Sequence, residues 1–250
     1  MTALPKNAFK AALAAFRPQR GLWCTIADPM VAEMVAGLGF DWLLFDTEHS
    51  PLDALRVAPL LQAVAPYPVS ALVRPGSLDP VEIKKLLDLG AQNLLIPYVQ
   101  TADEARLAVA SVTYPPAGIR GVSAITRATR FGEVAGYHRQ ARDEIALLIQ
   151  IETLDAISRL EAMAAVEGVD GLFIGPADLA ASMGHPGEPG HPEVQEAVLD
   201  AIRRIRAAGK PAGILTTDPD FLGRAVAAGA VFAAGDVDMA ALKRGLRQRL

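Results

Sequence analysis

The sequence predicts an α/β protein built as a single (β/α)8 TIM barrel over residues 1–250, with an insertion at about 114–143. Three observations predict it. Eight short apolar runs recur along the chain, at residues 22–26, 42–45, 69–73, 93–97, 146–151, 171–174, 212–215 and 231–234. These runs are almost continuously apolar instead of alternating, the pattern of parallel strands covered on both faces. The stretches between them carry helix start and stop signals, and a length of 250 residues is usual for this barrel. An open doubly wound sheet is the competing arrangement of the same elements.

The chain begins with an Ala-rich amphipathic patch flanked by Lys6 and Lys10, which reads as a first helix and not as a signal peptide. The first strand holds the single cysteine, Cys24, among Leu22, Trp23 and Ile26, where it reads as a small buried apolar residue. The second strand runs into Asp46-Thr47-Glu48-His49-Ser50-Pro51, more acid and base than a turn requires. The third ends Val73-Arg74-Pro75. Asp79 as N-cap and Pro80 as first helical residue start the next helix, which Gly90 ends. After the fourth strand, Thr101-Ala102-Asp103-Glu104 has the form of a capping box.

Residues 114–143 break the rhythm with Tyr114-Pro115-Pro116-Ala117-Gly118 and several arginines. Insertions of this length are often lids or contact surfaces, so substrate specificity is expected here, at Arg127 or Arg130. The fifth strand ends Gln150-Ile151-Glu152, the sixth runs into Gly175-Pro176-Ala177-Asp178, and the seventh ends Leu215-Thr216-Thr217-Asp218. Helices are expected over 153–168, 192–209 and 219–229, each closing on Gly.

Composition narrows the function. Hydrophobic residues at 51% and charged residues at 21% exclude a disordered chain or a coiled coil. A net charge of −4 gives no footprint for nucleic acid. One cysteine cannot form an internal disulfide and suits a reducing, cytoplasmic location. The longest uncharged stretch, 58–73, contains Pro59, Pro66 and Pro68, so no membrane span is expected. There is no Walker A loop and no Gly-rich dinucleotide fingerprint, so no nucleotide cofactor is expected.

In such a barrel the chemistry lies at the carboxyl ends of the strands. Glu152 and Asp178 stand one βα unit apart, which would bring two hard oxygen ligands together for Mg2+ or Mn2+. Each could equally be a charge complementing a helix N-terminus. Arg74 could bind a carboxylate or stabilise a developing enolate, or be a structural ion pair. His49 could be a general base, a metal ligand or a hydrogen-bonded loop residue. His138, His185 and His191 fall in loop-like sequence and read as solvated. No lysine falls at a carboxyl-terminal strand end, so a Schiff-base mechanism is not expected.

These segments together resemble the HpcH/HpaI (hydroxy ketoacid) aldolase family of class II pyruvate aldolases. The resemblance lies in Gly21–Trp23, 40–51 (FDWLLFDTEHSP), 73–75, 84–105, 114–122, 147–153 and 168–184 (GVDGLFIGPADLAASMG), nearly the whole chain. It implies a phosphoenolpyruvate/pyruvate-type barrel that needs a divalent metal (Mg2+, Mn2+ or Co2+). The implied reaction is reversible cleavage of 4-hydroxy-2-keto acids to pyruvate or hydroxypyruvate and an aldehyde through an enolate. Glu152 and Asp178 resemble the metal ligands, His49 the catalytic base and Arg74 the enolate stabiliser. Gln150, Gly175, Pro176, Ala177 and Asp178 resemble the keto-acid binders, and Trp23, Asp46 and Leu215 the pocket walls. Asp88 resembles the carboxylate that makes the histidine more basic. It lies near the end of its helix, toward the opposite face of its own barrel, so it is expected to serve a neighbouring subunit. The family generally forms hexamers, as trimers of dimers, which agrees with that expectation. A citramalyl- or malyl-type CoA-thioester lyase is the alternative activity. It would need a basic groove, for which the arginines of 114–143 are the only source.

Overall fold

The computed structural model describes residues 3–250. A short helix α1 (Ala8–Ala14) precedes β1 (Gln19–Cys24), α2 (Pro29–Ala36), β2 (Trp42–Asp46), α3 (Ala54–Val64), β3 (Ser70–Arg74), α4 (Pro80–Asp88), β4 (Asn93–Ile96) and α5 (Ala102–Val112). After the inserted segment come α6 (Tyr137–Gln140), a 3-10 turn (Ala141–Glu144), β5 (Ala146–Ile151), α7 (Leu154–Ser158) and α8 (Leu160–Ala164). Then follow β6 (Gly171–Ile174), α9 (Pro176–Ser182), α10 (Pro192–Ala207), β7 (Ala212–Leu215), α11 (Pro219–Ala228), β8 (Ala230–Val237) and α12 (Asp238–Arg247).

The eight strands form a closed barrel in sequence order, and every pairing is parallel, β8 to β1 included. The apolar runs therefore have two destinations. Outward-facing residues such as Leu43, Val73, Leu94, Ile149 and Ile174 join the layer between strands and helices. Inward-facing Trp23, Trp42, Leu44, Leu72, Leu148, Phe173 and Phe232 fill the barrel interior. Helix α1 plugs the bottom: the Phe9 ring packs edge-on against Trp42 at 6.3 Å and Phe232 at 5.9 Å between centroids. Filling by such large rings requires small partners. A Cβ on Gly21 would fall 2.1 Å from the Trp42 ring, and one on Gly213 would fall 2.2 Å from Phe232.

Several expected boundaries shift. The first strand occupies 19–24 and not 22–26, because the Asp238 carboxylate takes the N–H groups of Thr25 and Ile26 at 3.0 Å each. That buried carboxylate also accepts the Thr25 hydroxyl at 2.9 Å, so the end of β8 is tied to the end of β1 where the barrel closes. The helix expected over 153–168 breaks at Arg159 (φ −112°, ψ 13°) into α7 and α8. Cys24 is 3% exposed, and burial followed by the charge of Asp238 pushes its thiol pKa up, away from nucleophile chemistry.

Segment 114–143 lies at the bottom of the barrel, between the end of α5 and the start of β5. Arg127 donates to the Leu89 carbonyl at 2.7 Å, just past the end of α4, and the Ala128 N–H donates to the Asp88 carbonyl at 3.0 Å. The expectation of a specificity lid is corrected for a chain's own site: Arg127 and Arg130 sit on the face opposite the carboxyl ends of the strands. No described helix is long and apolar enough to cross a membrane.

Candidate active site

At the carboxyl end of β2, Asp46 is 1% exposed and organises the rim. Its Oδ1 accepts the Glu48 N–H at 3.0 Å and the His49 N–H at 3.4 Å, closing the turn that the unusual sequence 46–50 encodes. Arg74, at the end of β3, grips Asp46 with two donors, Nε to Oδ1 at 2.8 Å and Nη2 to Oδ2 at 2.6 Å. Register delivers this pair directly, since Asp46 and Arg74 are partners across β2 and β3. The Trp23 indole N–H donates to Asp46 Oδ2 at 3.2 Å, and the Arg74 guanidinium lies over the Trp23 ring at 4.8 Å. Thr47 donates its hydroxyl to the Arg74 carbonyl at 2.7 Å, which fixes the backbone behind the guanidinium.

From β5, Gln150 donates to Glu152 Oε2 at 2.5 Å, and the Tyr98 N–H donates to Glu152 Oε1 at 2.8 Å. Arg74 Nη1 lies 3.5 Å from Gln150 Oε1 and 2.6 Å from Glu48 Oε2. The strands thus bring Trp23, Asp46, Glu48, Arg74, Gln150 and Glu152 into one contiguous cluster. Gly175, at the end of β6, must be bare. A Cβ there would fall 2.6 Å from Glu152 Oε2 and 2.8 Å from Gln150 Nε2. Asp178 follows in the first turn of α9, whose N-cap Gly175 offers no side chain to the free N–H groups. Leu215, at the end of β7, is half-buried against the interior core.

The electrostatics of this cluster are lopsided. Burial raises the Asp46 carboxyl pKa, but the hydrogen bonds and charge of Arg74, with help from Trp23, outweigh it and leave the group below its ordinary value. Glu48 is raised, first by burial, against the pull of Arg74 and His49. Glu152, 1% exposed, is pushed up to about 7 by burial and then by the charges of Asp178 and Glu48. Glu48 Oε2 is buried without a hydrogen bond; its close approach to Arg74 is a charge contact whose angle is too poor to count as one. Glu152, Glu48 and the exposed Asp178 repel one another, and the one guanidinium beside them, that of Arg74, already bridges Asp46 and pairs with Glu48. Glu152, Asp178 and Glu48 therefore fit a divalent cation both in charge and as a hard-oxygen donor set.

The remaining expected residues fall elsewhere or stand apart. The His49 side chain is 64% exposed at the rim, with Glu48 Oε2 at 3.8 Å. Asp88 sits at the bottom end of α4, where it accepts from Arg120 at 3.1 Å. The Arg120 side chain is fully buried, with its guanidinium over the Tyr114 ring at 4.4 Å. Within one chain, Asp88 and His49 occupy opposite faces of the barrel. Two of the three histidines read as solvated form a stack, and His138 bonds the Ser123 carbonyl at 3.1 Å and packs edge-on against Tyr114. A groove of about 560 Å³ also lies on the bottom face, lined by Leu61, Val64, Arg127 and Phe131. It is remote from the cluster. The arginines that would have formed a nucleotide groove are on this face as well, so they do not form one at the chain's own site for a CoA-thioester substrate.

From the sequence the role of Glu48 stays open between orienting its loop and contacting metal-bound water, and nothing there points to Asp238.

Comparison with known proteins follows the same lines. The pattern of the family described as HpcH/HpaI aldolase/citrate lyase matches residues 19–244. The chain is 62% identical to a pyruvate aldolase of Rhizobium etli, over 97% of this chain and 95% of that one. It is 56% identical to a 4-hydroxy-2-oxo-heptane-1,7-dioate aldolase of Salmonella heidelberg, over 96% and 92% respectively. A crystal structure of an HpcH/HpaI aldolase/citrate lyase family protein from Burkholderia cenocepacia superposes with a TM-score of 0.94 at 36% identity, covering 98% of each chain.

Proposed function

This chain belongs to the HpcH/HpaI aldolase/citrate lyase family and is an aldolase, a carbon–carbon lyase; from that premise we propose that it reversibly cleaves 4-hydroxy-2-keto acids to pyruvate, or hydroxypyruvate, and an aldehyde, with a divalent cation (Mg2+, Mn2+ or Co2+) held by Glu152 and Asp178. The observation that carries the proposal is the Glu152 carboxyl, buried at the rim and raised to about 7 beside two other carboxylates. A protein gains nothing from that repulsion unless a positive charge visits.

When bound, the cation supplies Lewis-acid polarisation of the keto group and charge to offset the developing enolate. The chain's own residues do the rest. Gln150 and the open N–H groups that follow Pro176, at Ala177 and Asp178, orient the keto acid. Trp23 and Leu215 wall the pocket and exclude water. Asp46 holds Arg74 rigidly through Nε and Nη2, and the Nη1 side, which pairs with Glu48, faces the place where enolate charge grows. His49 takes the proton of the 4-hydroxyl as the bond between the third and fourth carbons breaks and the aldehyde leaves. Return of a proton to the methylene carbon gives pyruvate.

The proposal is tested without any aldehyde. Pyruvate incubated in D2O with enzyme and Mg2+ should exchange its methyl protons, read by mass spectrometry, and exchange should stop in excess EDTA. Exchange that continues at full rate after chelation would refute a metal-held enolate.

The same reading includes a cytoplasmic homo-oligomer, a trimer of dimers, in which Asp88 completes the site of a neighbouring copy. Its support is the placement of Asp88 and His49 on opposite faces of one barrel. Asp88→Asn preserves a polar partner for buried Arg120, so it should fold. Mixed oligomers of Asp88→Asn and His49→Ala chains, each inactive alone, should recover activity, because some sites then receive both native groups. Mixed oligomers proven by native mass spectrometry yet no more active than their parents would end the idea.

A further inference from the structure

Three potential ligands meet on the same rim outside the aldolase site. His185 follows the end of α9, His191 is the N-cap of α10, and Glu193 lies in the first turn of α10. One ligand atom from each lies within 4.8 Å of the other two. His185 Nε2 is 3.0 Å from Glu193 Oε2. The two imidazoles stack face to face, with centroids 3.6 Å apart and planes 15° from parallel. The nitrogen lone pairs of near-parallel rings do not converge, so binding one cation through both imidazoles would open this stack. His191 Nδ1 accepts the Glu193 N–H at 3.3 Å, which leaves the ring proton on Nε2; a cation bound through Nε2 would move that proton to Nδ1 and replace this cap.

We propose that His185, His191 and Glu193 form a second divalent-cation site, for Zn2+, Ni2+ or Cu2+, separate from the carboxylate site and stapling loop 183–191 to α10. Two imidazoles and one carboxylate suit these cations, whereas Mg2+ prefers an all-oxygen set. Ligand atoms around a tetrahedral cation with bonds near 2.1 Å lie about 3.4 Å apart. Closing from 4.8 Å needs rotation of the two rings and the Glu193 side chain, all three partly or wholly exposed, and release of the His191 cap on the Glu193 N–H. The fourth position is open to water. The site joins the loop that follows Asp178 to the first turn of α10, so occupancy would stiffen the segment beside the aldolase site.

The test uses the untagged full chain with Mg2+ held at saturating, millimolar concentration, so that the carboxylate site is occupied. Calorimetric titration with Ni2+ should show one equivalent bound per chain. Loading with Cu2+ should give an electron paramagnetic resonance spectrum with coupling to imidazole nitrogen. His185→Gln and His191→Asn, the latter retaining a good N-cap, should each weaken Ni2+ binding at least about 10-fold with an unchanged circular dichroism spectrum. The double variant Glu152→Gln/Asp178→Asn should keep the equivalent, which separates this site from the aldolase metal. No Ni2+ equivalent in the wild type, unchanged affinity in both histidine variants, or loss of the equivalent only in the carboxylate variant would each overturn the proposal.

Discussion

Glu152→Gln is expected to lower divalent-dependent turnover at least about 10³-fold, the upper end of what one preorganised polar group contributes, while making the metal-free chain more stable above pH 7. Both effects come from one fact. The Glu152 carboxyl is buried beside Asp178 and Glu48, so its pKa rises from an ordinary 4.5 to about 7. Below pH 4.5 the group is protonated whether the chain is folded or not, and its charge costs nothing. Between pH 4.5 and 7 the unfolded chain gives up the proton first, so folding stability falls as pH rises. Above 7 the penalty is complete, at most about 3 kcal/mol. Glutamine never ionises and can still accept the Tyr98 N–H through its carbonyl. Urea denaturation in EDTA at pH 5 and pH 8 should show the variant gaining on the wild type as pH rises. Mg2+ should stabilise the wild type at pH 8 and leave the variant unmoved. A variant less stable than wild type at pH 8 without metal would mean that burial does not strain this carboxyl.

Replacing Arg74 should separate catalysis from stability. Arg74 is 5% exposed, and its guanidinium spans both oxygens of Asp46, itself 1% exposed, while touching Glu48. Arg74→Lys retains a positive charge, but a compact ammonium cannot bridge the same three oxygens. We expect kcat/KM to fall about 10²- to 10³-fold, with most of the loss in kcat. Arg74→Met leaves Asp46 buried and uncompensated, and should destabilise the fold by about 3–5 kcal/mol. Adding Asp46→Asn to Arg74→Met removes the stranded charge, so a large part of that stability should return while activity stays lost. If the double variant is no more stable than Arg74→Met, the ion pair is not what holds the two strand ends together.

The strand sequence was legible because each run needs only its own apolar pattern, and the helices because their caps lie within a turn of their ends. Asp28, Asp79, Thr101 and Asp218 all cap helices through their own side chains. The break at Arg159 was not legible, since nothing local interrupts the helical pattern there. The gathering of Asp46, Arg74, Gln150 and Glu152 could be anticipated because a parallel barrel sends every strand end to one rim. Their mutual partners could not. Whether Arg74 grips Asp46 or reaches Glu152 depends on the β2–β3 register and on which side of each strand faces inward.

The position of the insertion shows the same limit. Its arginines suggested a role in specificity, yet the chain enters it from the lower end of α5 and must return to the lower end of β5. Connectivity therefore places it on the face away from the chemistry. The stacked pair His185 and His191 was equally invisible, because a turn between α9 and α10 decides whether residues six apart meet.

Taken alone, the order of residues determined an eight-stranded parallel barrel, its helix boundaries to within a few residues, and the chemical types that crowd its catalytic rim. Three-dimensional closure decided which acid meets which base, that Glu152 carries the most strained charge, and that Asp88 faces away from His49. The physical reason is range: hydrophobic period and capping act over a few neighbouring residues, whereas ion pairing and burial depend on groups that only a closed barrel brings within a few ångströms.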